Sequence, residues 1–300
     1  MKIFNLFRAK KQETKPPAPA RPLPDFLVIG VQKGGTSWLW DQLRQHPKIW
    51  MPPFKELQFF NHEFIPSHRS WTTQHCDKAI ARFMEKRKLL KNPARKHAWD
   101  TYLAKISKNP KPSLEWYHDC FSFPIKPWMI RGDISPAYCS IPDEGVAYVR
   151  ELLPDAKIIM IVRDPHKRVI SHLRMKISGS QRDTDTFTSA QWHGFIDDEN
   201  LYQRAAYSEY IPRWDRYFGD RIMFLPFDLI RQDPAAFLQK VTDHLEIKPF
   251  TPRAAEKAVH VTKKHAIPLP IEKLLEERTA SERAYLQSRF PAEFMELCKH

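Results

Sequence analysis

Glycine is scarce in this chain of 300 residues, with only eight in all. Scarcity makes position informative, and three of the eight, Gly30, Gly34 and Gly35, fall within six residues. Cysteine is sparser still. Cys76, Cys120, Cys139 and Cys298 show no CxxC or other metal-ligand spacing, which excludes a disulfide-framed secreted miniprotein and a zinc finger, and fits reduced thiols in a cytoplasmic chain. Long hydrophobic runs are missing too. No stretch approaches the roughly 20 apolar residues of a membrane span, and the apolar residues near Met1 are too few and too interrupted for a secretory signal. Thirteen histidines are present, but none pairs in an HExxH pattern. His62, His68, His75 and His118 read as scattered surface or core residues, so no metal is expected.

What is present is a real core and a local excess of positive charge. Hydrophobic residues make up 42% of the chain, enough for one large α/β domain or a core with an insertion, at about 100–200 residues per domain. The net charge is +13. Residues 1–25 carry six Lys/Arg against two acids, residues 78–111 carry eleven against two, and the rest of the chain balances. Basicity is therefore a local device that points to an anionic partner at those segments. The alternative is a solvated surface made soluble by its lysines.

Residues 1–24 read as a disordered basic tail, with a Pro-rich linker from Lys15 to Pro24. Phe4, Leu6 and Phe7 beside Arg8, Lys10 and Lys11 suit a weak contact with an anionic membrane surface. Residues 25–300 then read as a single domain. Phe26–Ile29 is a buried strand, Gly30–Gly35 a turn, and Thr36–Gln45 a helix. Helices are also expected at Glu144–Leu153, Glu199–Phe218 and Pro234–Leu245. Further strands are expected at Lys157–Val162 and Arg221–Leu225. A helix starts after Asp164 as N-cap, with Pro165 at its first position. This alternation predicts a central parallel sheet flanked by helices on both faces. The basic segment at about 65–111 interrupts the rhythm and reads as an insertion or lid with one helical stretch near Ala79–Leu90.

The strongest local signal is Gly30-Val31-Gln32-Lys33-Gly34-Gly35-Thr36-Ser37-Trp38. A strand, a Gly-rich turn and a helix start make an anion site, because backbone N–H groups and the helix dipole face the turn. Lys33 adds a point charge, and Thr36 and Ser37 add hydroxyl donors. The alternative is a tight glycine turn with no ligand. The loop is not a Walker A sequence, which places its lysine after the last glycine. An arginine, not an aspartate, ends the Ile158–Val162 strand, which disfavours a magnesium-dependent kinase. That arginine, Arg163, leaves the strand where open α/β sheets place ligands. With Ser171 two turns into the next helix it makes a second anion clamp.

These residues resemble the PAPS-dependent sulfotransferases, enzymes that use 3′-phosphoadenosine 5′-phosphosulfate (PAPS), and in particular bacterial relatives of the heparan-sulfate and glycan branch. The resemblance covers about residues 26–64 and 114–249. It implies a P-loop-NTPase-like sulfotransferase fold and a nucleotide co-substrate phosphorylated at both ends. By it, Lys33, Gly34, Gly35, Thr36 and Ser37 hold the 5′-phosphosulfate, and Trp38 stacks on adenine; the other reading of Trp38 is a core aromatic. Arg163 and Ser171 bind the 3′-phosphate, and Arg168 matches an arginine of the glycan branch. Glu56, in Lys55-Glu56-Leu57-Gln58-Phe59-Phe60, becomes the general base on the acceptor, with Lys55 beside it at the substrate. Lys33 neutralises the leaving oxygen. The other reading of Glu56 is an ion pair with Lys55. Asp133, in Gly132-Asp133-Ile134-Ser135-Pro136-Ala137-Tyr138, falls at an acceptor-contacting position, but Ile134 replaces the family lysine. Tyr207 falls near the nucleotide or in the packing, and Lys263 and Lys264 in a loop closing on it. The implied activity is sulfuryl transfer to a hydroxyl or amine, with an anionic glycan or lipid as acceptor, in a chain that is cytoplasmic and at most peripheral at a membrane. The competing readings are a small-molecule kinase and a nucleic-acid-binding protein using residues 78–111. The latter segment contains no recognised nucleic-acid motif.

Overall fold

Short runs that are apolar on both faces make the centre of the molecule. The computed structural model describes residues 22–299 except 90, 181, 254 and 256–264. The expected tail therefore lies outside the described residues up to position 21. Among the described residues, β1 (Phe26–Gly30), β2 (Ile49–Trp50), β3 (Ile130–Ile134), β4 (Lys157–Val162) and β5 (Ile222–Pro226) form one sheet in the order β2-β3-β1-β4-β5. Every pairing is parallel, with Leu27 between Asp133 on one side and Ile158 on the other. Side chains alternate across a strand, and the core divides accordingly. Leu27, Ile29, Ile158 and Met160 join one cluster, while Phe26, Val28, Ile159 and Ile161 join the other. A sheet covered on both faces has no polar side, which is why β1 and β4 read as unbroken apolar runs.

The helices are α1 (Thr36–Leu43), α2 (Phe59–Phe64), α3 (Arg69–Arg87), α4 (Pro93–Ile106), α5 (Leu114–Cys120), α6 (Asp143–Leu152), α7 (Pro165–Ser180), α8 (Ser189–Ile196), α9 (Asn200–Gln203), α10 (Tyr207–Phe218), α11 (Leu229–Gln232), α12 (Pro234–His244), α13 (Leu269–Arg278), α14 (Ala280–Arg289) and α15 (Ala292–Glu296). Leu39 and Leu43 of α1 and Phe237 and Val241 of α12 cover one face of the sheet. Val146 of α6, Val169 of α7, Trp214 of α10 and Leu275 of α13 belong to the cluster on the other. Asp164 caps α7 as expected, its Oδ1 accepting from the Lys167 N–H at 2.9 Å.

Four features differ from the sequence expectation. Residues 130–134, where no strand was expected, are an inner strand beside β1. Gly132 is obligatory there, since a Cβ would lie 2.1 Å from the Phe26 ring. The helix expected over 199–218 breaks at 204–206 into α9 and α10. The basic insertion holds two long helices rather than one short stretch. α3 buries only Thr72, Cys76 and Ile80, at four-residue spacing, and α4 only Tyr102, Leu103 and Ile106. Stripes that narrow are lost in a basic sequence. Finally, α13 and α14 pack against α7 in a region where the resemblance had faded. All four cysteines are unpaired and buried. No helix among the described residues is long and apolar enough to cross a membrane.

Candidate active site at the carboxyl ends of the strands

Parallel strands end along one edge of the sheet, and that edge collects the residues singled out above. β1 delivers the glycine turn. The Gly34 N–H closes it on the Val31 carbonyl at 2.9 Å. Lys33 (φ 70°) and Gly35 (φ 83°) are both left-handed. Gly35 is the N-cap of α1 and supplies no side-chain cap, so the first backbone N–H groups of the helix are not claimed by a capping side chain. A Cβ at 35 would also sit 2.6 Å from Ile230. A left-handed lysine is strained, and such strain gathers where a loop is shaped for a ligand. Thr36 is buried and Ser37 half-buried. Trp38 is 4% exposed, edge-on to Phe237 at 5.5 Å, and its Nε1 donates to the Ala255 carbonyl at 2.8 Å. It is the core aromatic of the second reading, with no open face for an adenine.

β4 delivers Arg163. Its guanidinium donates to the Lys33 carbonyl at 2.7 Å and lies 4.3 Å over the Phe227 ring. The Tyr207 hydroxyl accepts from the Arg163 N–H at 3.2 Å and donates to its carbonyl at 2.8 Å. Tyr207 is fully buried, so it holds the arginine's backbone and does not face a nucleotide. Ser171 lies half-buried two turns into α7. Arg168 is fully buried; one terminal nitrogen is shared by His172 Nδ1 and the Leu201 carbonyl, and its Nε and other terminal nitrogen have no partner among the described residues. Lys263 and Lys264 lie outside the described residues.

The electrostatics of this corner are those of crowded, half-dry cations. Burial pushes the Lys33 ammonium below its ordinary pKa, and the charges of Arg163, Arg168 and Lys55 push it further. Burial brings Arg168 down to about 10. Burial, with the charge of Arg168 beside it, brings His172 down to about 3. Each group is driven toward giving up a proton, so each would be relieved by an anion.

The loop leaving β2 delivers Glu56, whose side chain is 23% exposed. Its Oε1 accepts from Lys55 Nζ at 2.6 Å and its Oε2 from Gln58 Nε2 at 3.3 Å. Burial pushes the carboxyl up, but Lys55, with the charges of His75 and Arg204, outweighs it and holds the group below the usual glutamate value. The ion pair of the second reading is thus present, and it keeps Glu56 in the form a base requires. Glu56 (φ 64°) and Gln58 (φ 58°) are again left-handed. Asp133 was expected at the acceptor. It is instead 1% exposed, with Oδ1 accepting from Ser135 at 2.8 Å and Oδ2 from Tyr138 at 2.8 Å and Tyr117 at 3.0 Å. A carboxylate spent on three hydroxyls has no face for a substrate.

Several neighbours of Glu56 escaped the sequence reading. Trp71 stands 5.2 Å from the His68 ring and 6.5 Å from the His75 ring, and the Arg204 guanidinium lies 6.0 Å from it. The Arg204 side chain makes no hydrogen bond or ion pair with the described residues; its backbone N–H donates to the Tyr202 carbonyl. His68 is pushed down to about 4 by burial and by the charge of Arg204. Positions 68, 71 and 75 share one helical face, a signal visible only once a helix is drawn through them. No group of three metal-ligating side chains occurs among the described residues.

Comparison with known proteins agrees with this arrangement. Heparan sulfate glucosamine 3-O-sulfotransferase 3B1 of Homo sapiens is 26% identical over 239 residues, 76% of this chain and 47% of that protein. Bifunctional heparan sulfate N-deacetylase/N-sulfotransferase 4 of Mus musculus is 26% identical over 246 residues, 76% of this chain and 23% of that protein. The chain thus spans about half the length, or less, of these curated relatives. Among solved structures, a sulfotransferase from Alicyclobacillus acidocaldarius superposes with a TM-score of 0.60 at 19% identity, covering 91% of this chain and 99% of that one, a likeness of fold. The profile of the sulfotransferase family spans residues 24–252, from the strand before the glycine turn to the segment that follows α12. With the turn, the arginine and the glutamate gathered at one sheet edge inside that span, the chain belongs to the sulfotransferase family.

Proposed function

We propose that this protein transfers the sulfuryl group of PAPS to a hydroxyl or amine of a glycan or glycolipid acceptor. The observation that carries the reading is the pair of cationic corners on adjacent strands, Lys33 after β1 and Arg163 after β4, tied by the 2.7 Å hydrogen bond between them. A donor with a phosphosulfate at one end and a phosphate at the other suits two such corners. The residues fit it: uncapped N–H groups at α1, Lys33, Thr36 and Ser37 for the phosphosulfate, and Arg163 with Ser171 for the 3′-phosphate. Phe227 and Ile230, beside Gly35, offer the base an apolar seat. The curated relatives carry heparan sulfate in their names, which supports an anionic glycan.

In the transfer, the acceptor oxygen or nitrogen bonds to sulfur as the bond from sulfur to the bridging phosphate oxygen breaks. Glu56 takes the acceptor proton, and adenosine 3′,5′-bisphosphate leaves with the electron pair. Lys33 stabilises the charge growing on that oxygen. No metal enters this scheme. A kinase reading is weakened by the position of Lys33 before the last two glycines. The unpaired cysteines are in keeping with cytoplasmic residence.

Calorimetry tests the donor. Adenosine 3′,5′-bisphosphate should bind at least about tenfold tighter than AMP, a difference of about 1.4 kcal/mol. Equal affinity would remove the reading.

A further inference from the structure

Asp133 is not used by the scheme above, yet it is a buried carboxylate, 1% exposed, in the strand beside the glycine-turn strand. Two of its three hydroxyl partners are also acceptors. The Gln58 N–H donates to Ser135 Oγ at 3.4 Å, and the Phe59 N–H donates to the Tyr138 hydroxyl at 3.1 Å. A hydroxyl has one proton. Ser135 and Tyr138 each give theirs to Asp133, which leaves their lone pairs for those two amides. Ser135 and Tyr138 are themselves fully buried, so no solvent competes for the same positions.

The amides in question belong to the strained turn that carries Glu56. Left-handed non-glycine residues persist only where their surroundings hold them. Here the Glu56 N–H is held by the Ile134 carbonyl at 2.9 Å, and the next anchors are the two hydroxyls that Asp133 orients. Gln58 also touches the base directly, through Nε2 on Glu56 Oε2 at 3.3 Å. A displaced Gln58 would carry the Glu56 carboxylate with it.

We infer that Asp133 is a positioning residue for Glu56: through Ser135 and Tyr138 it sets the hydroxyl acceptors that pin the Glu56–Phe59 turn against β3. The role rests on the reading of Glu56 as base. The groups facing Asp133 are Tyr117 and Cys120 of α5, Cys76 of α3, Ser135 and Tyr138 after β3, and Glu56 itself. Burial pushes its carboxyl up to about 6, against the pull of the three hydroxyls and with the push of the Glu56 charge. Protonation puts a donor on one carboxyl oxygen, so that at least one of the three hydroxyls must turn away from it. The acid limb of turnover should therefore fall near pH 6, above the range of Glu56.

Tyr138→Phe keeps the ring in the core and removes only the hydroxyl, and Asp133→Asn keeps the shape and removes the charge. Both are compared with wild type by amide exchange of residues 56–60. They are also assayed for turnover with labelled PAPS and heparan sulfate chains as acceptor. Exchange should quicken at least about tenfold. Turnover number should fall about 10- to 100-fold, with affinity for adenosine 3′,5′-bisphosphate within about twofold of wild type, a margin far below that fall. The acid limb near pH 6 should vanish in Asp133→Asn. Unchanged exchange, or a turnover loss that only follows the folded fraction seen by circular dichroism, overturns the positioning role. Quickened exchange in an enzyme that sulfates no heparan sulfate supports the pinning and sinks only the acceptor reading.

Discussion

Two regions of this molecule are rich in lysine and arginine, and they use the charge differently. At the sheet edge Lys33, Arg163 and Arg168 are crowded and half-dry, and every shifted base among them is driven to lose a proton. In the region of the α3–α4 hairpin Lys88 and Lys105 are exposed, Arg87 and Lys111 are part-buried, and all four find acids. Lys88 pairs with Glu85 at 2.8 Å, Lys111 with Asp77 at 2.7 Å, Lys105 with Asp119 at 3.3 Å, and Arg87 with Asp100. Pairs with at least one well-exposed partner contribute about 0–1 kcal/mol each. A count of positive charge therefore points to the hairpin, whereas the candidate site sits where charge is costly. The lesson is that desolvation, not number, marks the cations that await an anion.

The comparison breaks first at Lys33. Lys33→Ala should lower turnover by about 10²–10³-fold or more, as loss of a charge-stabilising donor does, and should weaken nucleotide binding in calorimetry. Glu56→Gln should cost about 10²–10⁴-fold in turnover while leaving nucleotide affinity nearly intact. An equal loss of affinity would contradict the base assignment.

A middle-sized effect concerns packing and pH. Gly132→Ala drives a methyl into Phe26 and should destabilise by about 1–3 kcal/mol or more in a urea titration. The raised Asp133 pKa of about 6 means that the folded state binds a proton more tightly than the unfolded one. Stability from this group is present at low pH and lost as pH rises from about 4 to about 6, by up to about 3 kcal/mol. Glu56, with its lowered pKa, acts in the opposite direction and at lower pH. Asp133→Asn should remove the first slope and leave the second, which denaturation midpoints across pH 3–8 would resolve.

The smallest effect belongs to the hairpin. Charge reversal at Lys86, Arg87, Lys88 and Lys91 should leave nucleotide affinity and the chemical step unchanged, and should raise KM for an anionic acceptor in a salt-sensitive way. Unchanged acceptor kinetics would reduce the hairpin to a solubilising surface.

Much of this was legible in the residues. β1, β4 and α7 follow from unbroken apolar runs and from the Asp164-Pro165 start. Lys33, Glu56 and Arg163 follow from scarce glycine and from family spacing. β3 was not legible, because Arg131 and Asp133 interrupt it and the burial of Asp133 is made tolerable by hydroxyls from outside the strand, among them Tyr117. The wall of His68, Trp71 and His75 was hidden for a related reason. Helical spacing means nothing until the helix is known, and α3 is too polar to announce itself. Trp38 and Tyr207 matched positions expected at the nucleotide, but position does not report which way a ring is turned into the core.

The sheet edge is also closed from an unexpected quarter. The carbonyls of Leu297 and Cys298 accept the N–H groups of Asp228 and Asp164 at 2.7 and 2.8 Å, one residue beyond Phe227 and Arg163. Clipping the chain after α14 would strip two clasps from the tips of neighbouring strands. An expression tag joined close behind Cys298 would pull on the same clasps. Whoever engineers this protein should treat residues 291–298 as a hem that keeps that sheet edge from fraying.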